Sequence, residues 1–192
     1  MNHIYQESKF GENWFTYPKL YSEMVKKFSS GSTFVEVGVW KGKSASYMAV
    51  EIANSNKDIK FYCVDNWLGS IEHQNNLELP KLFEIFTSNM SSLRDYYIPI
   101  KMDSIESAKK FEDNSLEFVF IDASHEYEDV KNDISAWLPK VKNGGILAGH
   151  DYHHPPIKEA IKYHQLKIES RTDEDCWIHY KTNFNNYKIF GL

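Results

Sequence analysis

Residues 33–44 read Thr-Phe-Val-Glu-Val-Gly-Val-Trp-Lys-Gly-Lys-Ser. The β-branched and aromatic run predicts a buried strand, two glycines four apart let the chain turn tightly, and Ser44 opens a helix that continues to about residue 53. The same unit then recurs. Further strands are expected at 59–64, 98–102, 116–121 and 146–148. Helices are marked by Leu82, Phe83, Phe86 and Met90, by a short stretch that Ser104 caps, and by Val130, Ile134, Trp137, Leu138 and Val141 at helical spacing. Asn143, Gly144 and Gly145 supply a turn into the fifth strand. Ahead of the first strand, Tyr17, Leu20, Tyr21, Met24 and Phe28 form an amphipathic helix over 17–28, with Thr16 as N-cap and Pro18 in the first turn. After the fifth, a helix over 157–164 precedes two strands at 166–170 and 176–181.

This alternation predicts an α/β fold: a doubly wound, seven-stranded, mostly parallel sheet with helices on both faces, closed by a C-terminal antiparallel hairpin. The chain reads as one domain with an N-terminal helical segment (1–30), a core (31–182), a tail (183–192) and one polar insertion (66–80). In such a sheet the ligand is expected at the C-terminal strand ends, where strands one and four diverge.

Composition narrows the function classes. The 192 residues are 42% hydrophobic and 26% charged, which excludes a disordered or collagen-like chain and suffices for a full core. No stretch approaches about 18 apolar residues and no leader is recognisable, so a cytoplasmic protein without a membrane span is expected. Twenty-two basic against 27 acidic residues give a net charge of −5, the wrong sign for a surface held to nucleic acid through phosphates. Cys63 and Cys176 are the two cysteines, and Cys63 lies in an apolar strand run, so no disulfide framework is expected.

Three ligand readings compete at the first glycine turn. A dinucleotide loop requires glycine two residues after Gly38, where this chain has Trp40. A phosphate loop, G-x-x-x-x-G-K-[ST], is approached by Gly38, Gly42, Lys43 and Ser44 with one residue missing, which shrinks the nest around a phosphate. In the third, the Glu36 carboxylate accepts from a ligand ammonium or ribose hydroxyl. An ordinary strand-to-helix turn needs none of these.

The other strand ends carry polar residues of their own. Asp65, 27 residues after Gly38, has the spacing of a carboxylate that binds ribose hydroxyls, and Trp67 is placed to stack on an adenine; a turn cap and core packing are the alternatives. Asp103 and Ser104 end strand three as adenine contacts or as a helix cap. Strand four ends in Asp122-Ala-Ser-His125, and strand five in His150-Asp151-Tyr-His153-His154. Strands four and five are neighbours in this topology, so Asp122, His150 and Asp151 are expected to converge on one cation, with His125 facing the same space as a general base. His153 and His154 precede Pro155 and Pro156 and read as loop residues.

Together, Glu36-Val-Gly38 with Gly42, Asp65, Phe120-Ile-Asp122-Ala-Ser-His125 with Tyr127, and Gly144-Gly145-Ile-Leu-Ala-Gly-His150-Asp151-Tyr152 resemble the class I S-adenosylmethionine-dependent methyltransferases. Within them the pattern is most similar to the small bacterial macrocin-type sugar O-methyltransferases and, more distantly, to catechol O-methyltransferase. The resemblance covers about residues 30–182. It implies a Rossmann-like methyltransferase fold and S-adenosylmethionine as cofactor. Glu36, Gly38 and Gly42 would hold the methionine part, Asp65 the ribose, and Trp67, Asp103 and Ser104 the adenine. It also implies, as in the metal-dependent relatives, a divalent cation on Asp122, His150 and Asp151, and a catalytic base at His125, with Asp122 serving cofactor and catalysis together. His150 stands where those relatives carry a carboxylate, which favours a softer metal than magnesium.

The implied activity is methyl transfer to a hydroxyl of a small molecule such as a sugar or diol. Two other classes stay open: an ATP-binding or phosphoryl-transfer protein using residues 38–44, and a cofactor-binding interaction module without catalysis. The expected partner is a small-molecule acceptor, not nucleic acid or membrane. The aromatic residues Tyr5, Phe10, Trp14, Phe15 and Tyr17 are candidates to fill the core, line a pocket or form a homodimer surface.

Overall fold

A computed structural model describes residues 1–70, 73 and 75–182; the expected tail (183–192) and part of the 66–80 insertion lie outside the described residues. Seven strands, β1 (Thr33–Val37), β2 (Lys60–Asp65), β3 (Ile98–Lys101), β4 (Leu116–Ile121), β5 (Val141–Gly149), β6 (Glu169–Arg171) and β7 (Cys176–Tyr180), form one sheet in the order β3-β2-β1-β4-β5-β7-β6. The pairs from β3 to β5 are parallel, and β7 runs antiparallel to both β5 and β6. This is the doubly wound sheet with a closing antiparallel hairpin expected from the alternation.

The strands show why both faces are covered. In β1 and β4, Phe34, Phe118 and Phe120 enter one core and Val35, Val37, Val119 and Ile121 the other, the two-residue period of a pleated strand buried on both sides. The first core is closed by α1 (Pro18–Lys27), α2 (Lys43–Ser55) and α3 (Leu82–Asn89), the second by α4 (Ser104–Ala108), α5 (Tyr127–Trp137) and α6 (Pro155–Tyr163). Phe10, Phe15 and Tyr17 are buried in the first core, whereas Trp14 is half-exposed.

Several boundaries differ from expectation for local reasons. Val141 opens β5, opposite Leu116, instead of continuing the preceding helix, because Pro139 cannot extend it. β5 consequently begins five residues early and absorbs Gly144, at φ +82°, into a strand whose register with β4 shifts between Leu116 and Phe118. Tyr17, not Thr16, precedes α1 in the cap position, and Asp103, not Ser104, caps α4 by accepting from the amides of Ile105 (2.9 Å) and Glu106 (3.2 Å). No helix among the described residues is long and apolar enough to cross a membrane.

Candidate active site

Register sets the site. Val37 pairs with both Val64 and Ile121, and Ile121 pairs with Gly149, so the next residues along, Gly38, Asp65, Asp122 and His150, stand in a row at the strand ends. A cavity of about 1010 Å³ opens above that row, and nine acidic residues line it against two lysines. One of these, Lys41, is already paired with Glu78 (2.5 Å).

On the β1–β2 side, backbone geometry dominates. Gly38 has φ +85°, and a Cβ there would lie 2.1 Å from the Asp122 carbonyl oxygen, so only glycine lets β1 turn this close to β4. Gly42 (φ +90°) faces Met90 and Phe86, not the cavity, so packing beneath the turn is what requires it. Asp65 accepts at Oδ2 from the amides of Val39 (3.0 Å) and Trp40 (2.9 Å), and at Oδ1 from that of Trp67 (2.7 Å). Burial pushes its carboxyl up, and these amides pull it back. Asp65 lines the cavity as a brace of the turn.

Glu36 lies behind the cavity wall. It is buried, Ser44 Oγ donates to its Oε1, and its Oε2 has no hydrogen-bond partner among the described residues; burial raises its pKa to about 8. Trp67 requires a correction: it is 2% exposed, packs on Phe83 and Phe86 and donates Nε1–H to the Trp40 carbonyl (2.9 Å), so it presents no face on which an adenine could stack. Asp103 and Ser104 line the cavity, the first as the cap of α4. Ser104 Oγ donates to Asp133 (2.5 Å) and accepts from Trp137 Nε1 (2.9 Å); burial raises the Asp133 pKa to about 7. Lys43, the phosphate-binding residue of the ATP reading, donates instead to the carbonyls of Gly11 (3.3 Å) and Glu12 (2.9 Å).

On the β4–β5 side, side chains bond to one another. His150 Nδ1 lies 3.4 Å from Asp122 Oδ1 and 3.2 Å from Asp151 Oδ2, while His125 Nε2 lies 2.7 Å from the same Asp151 oxygen. Asp122 Oδ2 accepts from the buried Tyr17 hydroxyl at 2.5 Å, and burial together with that carboxylate drives the Tyr17 pKa well up. Burial opposes a charged His150, but hydrogen bonds and charge from Asp122 and Asp151 outweigh it and hold the imidazolium pKa at about 10. Burial likewise opposes charge on Asp151, and its bonds to His125 and His150 overcome this and lower the carboxyl pKa.

Thr16 fixes which nitrogen of His150 faces the carboxylates. Its Oγ donates to the Glu174 carbonyl (2.9 Å), so the 2.8 Å contact to His150 Nε2 has the ring as donor. Nδ1 is then the atom aimed at two carboxylates, where a bare lone pair would be repelled and a proton or metal ion is required. Ligand atoms of Asp122, His150 and Asp151 lie within 4.8 Å of one another, so this donor set fits a divalent cation that displaces the proton. The sequence offers Thr16 as a helix cap and Tyr17 as a core or pocket aromatic, but not their bonds to His150 and Asp122, which span 134 and 105 residues and carry no local motif.

The parallel order around β1, the glycine turn and the closing antiparallel hairpin define a class I, Rossmann-like methyltransferase fold. A family model described as "Methyltransferase domain" matches residues 35–152, and the chain belongs to that family. A protein of Acanthamoeba polyphaga mimivirus is 27% identical over 154 residues, covering 77% of this chain and 64% of that protein. A protein of Sinorhizobium fredii is 26% identical over 117 residues, or 61% of this chain and 13% of that protein. The chain thus spans less than two thirds of the length of either relative. Among solved structures, the O-methyltransferase NovP superposes with a TM-score of 0.66 at 16% identity, covering 86% of this chain and 79% of that one. A TDP-rhamnose 3'-O-methyltransferase of calicheamicin biosynthesis gives 0.60 at 13%, covering 85% and 76%. These likenesses show the fold.

Proposed function

We propose that this chain transfers the methyl group of S-adenosylmethionine to a hydroxyl of a small molecule, a sugar or a diol, with a divalent cation on Asp122, His150 and Asp151. The convergence of these three donors with His125 at one end of the cavity carries the reading. The O-methyltransferase activities of NovP and of the TDP-rhamnose enzyme support it. The acidic lining supports a cationic sulfonium donor and repels a polyanion such as nucleic acid.

The donor is already activated, so the protein aligns nucleophile and methyl, excludes water and removes one proton. A bound cation supplies Lewis-acid polarisation of the acceptor hydroxyl. Asp151 accepts from His125 Nε2–H, which orients the ring and makes Nδ1 the basic nitrogen that takes the hydroxyl proton. Tyr17 and Thr16 hold Asp122 and His150 in place from the N-terminal segment.

The test is calorimetric titration with S-adenosylhomocysteine beside ATP, together with turnover on a panel of sugars and diols. Binding of S-adenosylhomocysteine and not ATP is expected. His125→Ala should lower turnover by roughly 10²–10⁴-fold, the usual worth of a general base, with product affinity retained. Binding of ATP alone, or loss of product binding in His125→Ala, overturns the assignment.

A further inference from the structure

Beyond the donor set just described, a second set of ligands stands beside it. Asp151, His153 and His154 also place ligand atoms within 4.8 Å of one another, and Asp151 belongs to both sets. Among the described residues, the β5–α6 segment therefore carries three histidines around one carboxylate, with His125 against it from β4.

The orientation of these rings argues for more than a solvated loop. His153 is 63% exposed in its side chain, yet Asp175 grips it twice, accepting its backbone N–H at Oδ1 (2.9 Å) and its Nδ1–H at Oδ2. An exposed ion pair of this kind adds little stability. A carboxylate on one ring nitrogen is, however, how metal-binding imidazoles are held, and it leaves Nε2 to coordinate. His154 lies between His153 (ring centroids 4.0 Å apart) and His125 (5.0 Å, planes 7° apart), and Pro155 and Pro156 follow it at the start of α6. Asp151 and Asp175 both adopt positive φ, +56° and +53°, and the amide of Tyr152 joins them by bonding the Asp175 carbonyl (3.1 Å).

We propose that Asp151, His153 and His154 bind a second divalent ion, of the borderline transition type that prefers imidazole nitrogen, with zinc as the representative. Asp175 is the positioning residue that orients His153. The proposal shares Asp151 with the acceptor-side cation and otherwise does not depend on it.

Untagged protein, stripped by chelator and dialysed against zinc or cobalt, tests this by metal content and by the visible absorption of bound cobalt. Two ions per chain are expected in the native sequence. His153→Ala combined with His154→Ala should leave one, Asp122→Asn should leave the other, and Asp175→Asn should weaken the second ion by about 10–100-fold. Far-ultraviolet circular dichroism and cooperative thermal unfolding show that each variant is folded, and His154→Gln replaces the double variant if that one is not. Two ions retained in the double variant, or a single ion that Asp122→Asn removes and His154→Gln does not, overturns the proposal. A single ion removed by His154→Gln and kept in Asp122→Asn sustains it and overturns the acceptor-side cation instead.

Discussion

On the β1–β2 side of the cavity, Asp65, Asp103 and Lys43 are turned on the backbone, whereas at the β4–β5 end Asp122, His125, His150 and Asp151 are turned on one another. Asp65 holds three amides, Asp103 caps a helix and Lys43 holds two carbonyls. Asp122, His125, His150 and Asp151 instead form a chain of mutual contacts in which ligand and proton-accepting atoms converge. The first end fixes a shape and the second concentrates charge. Chemistry that needs a precise cleft beside a movable proton is served by keeping the two tasks in separate halves.

Four substitutions on the shape-fixing side break or sharpen that contrast. Gly38→Ala should be the most damaging, because its Cβ meets a backbone carbonyl at 2.1 Å and a positive φ cannot be relieved; a loss of roughly 3–5 kcal/mol in denaturant unfolding is expected. Glu36→Gln should act through pH. In the folded chain Glu36 keeps its proton to about pH 8, whereas in the unfolded chain it loses it near 4.5. Between those values the unfolded state binds fewer protons, so stability falls as pH rises from 4.5 to 8 and levels off above. The variant should lose that one-proton slope, read from unfolding midpoints across the range.

Asp65→Asn keeps the shape but turns an NH₂ toward an amide donor, and should cost about 2 kcal/mol with weakened S-adenosylhomocysteine binding. Unchanged stability would mean that the turn holds itself without the carboxylate. Lys43→Ala should have the smallest effect, under about 1 kcal/mol by thermal unfolding, since it removes a clasp on residues 11 and 12 at an exposed position. Abolished cofactor binding in that variant would return Lys43 to the ligand.

The charge-concentrating half was the more legible in sequence. Asp122, His150 and Asp151 follow directly from strand order, because parallel register carries the residues after β4 and β5 to adjacent positions. The shape-fixing half was harder, because an acidic residue near a glycine turn looks alike whether its oxygens meet a ligand or the chain itself. Asp65 illustrates this, and Trp67, an aromatic two residues later, was indistinguishable from a stacking platform until its burial was known. The end of α5 was misjudged because Val141 keeps helical spacing past Pro139. Contacts from Thr16 and Tyr17 were invisible because sequence patterns report neighbours along an element, and these cross the whole sheet.

The acidic lining of the cavity also sorts donor from product. S-adenosylmethionine carries a positive sulfonium, and its product, S-adenosylhomocysteine, is an uncharged thioether at the same atom. Under the proposed function, nine carboxyl-bearing residues against two lysines and the His150 imidazolium attract the first more than the second, so each turnover removes part of the attraction that drew the donor in. Product departure is thereby coupled to the chemistry itself, and added salt should narrow the gap between the two affinities.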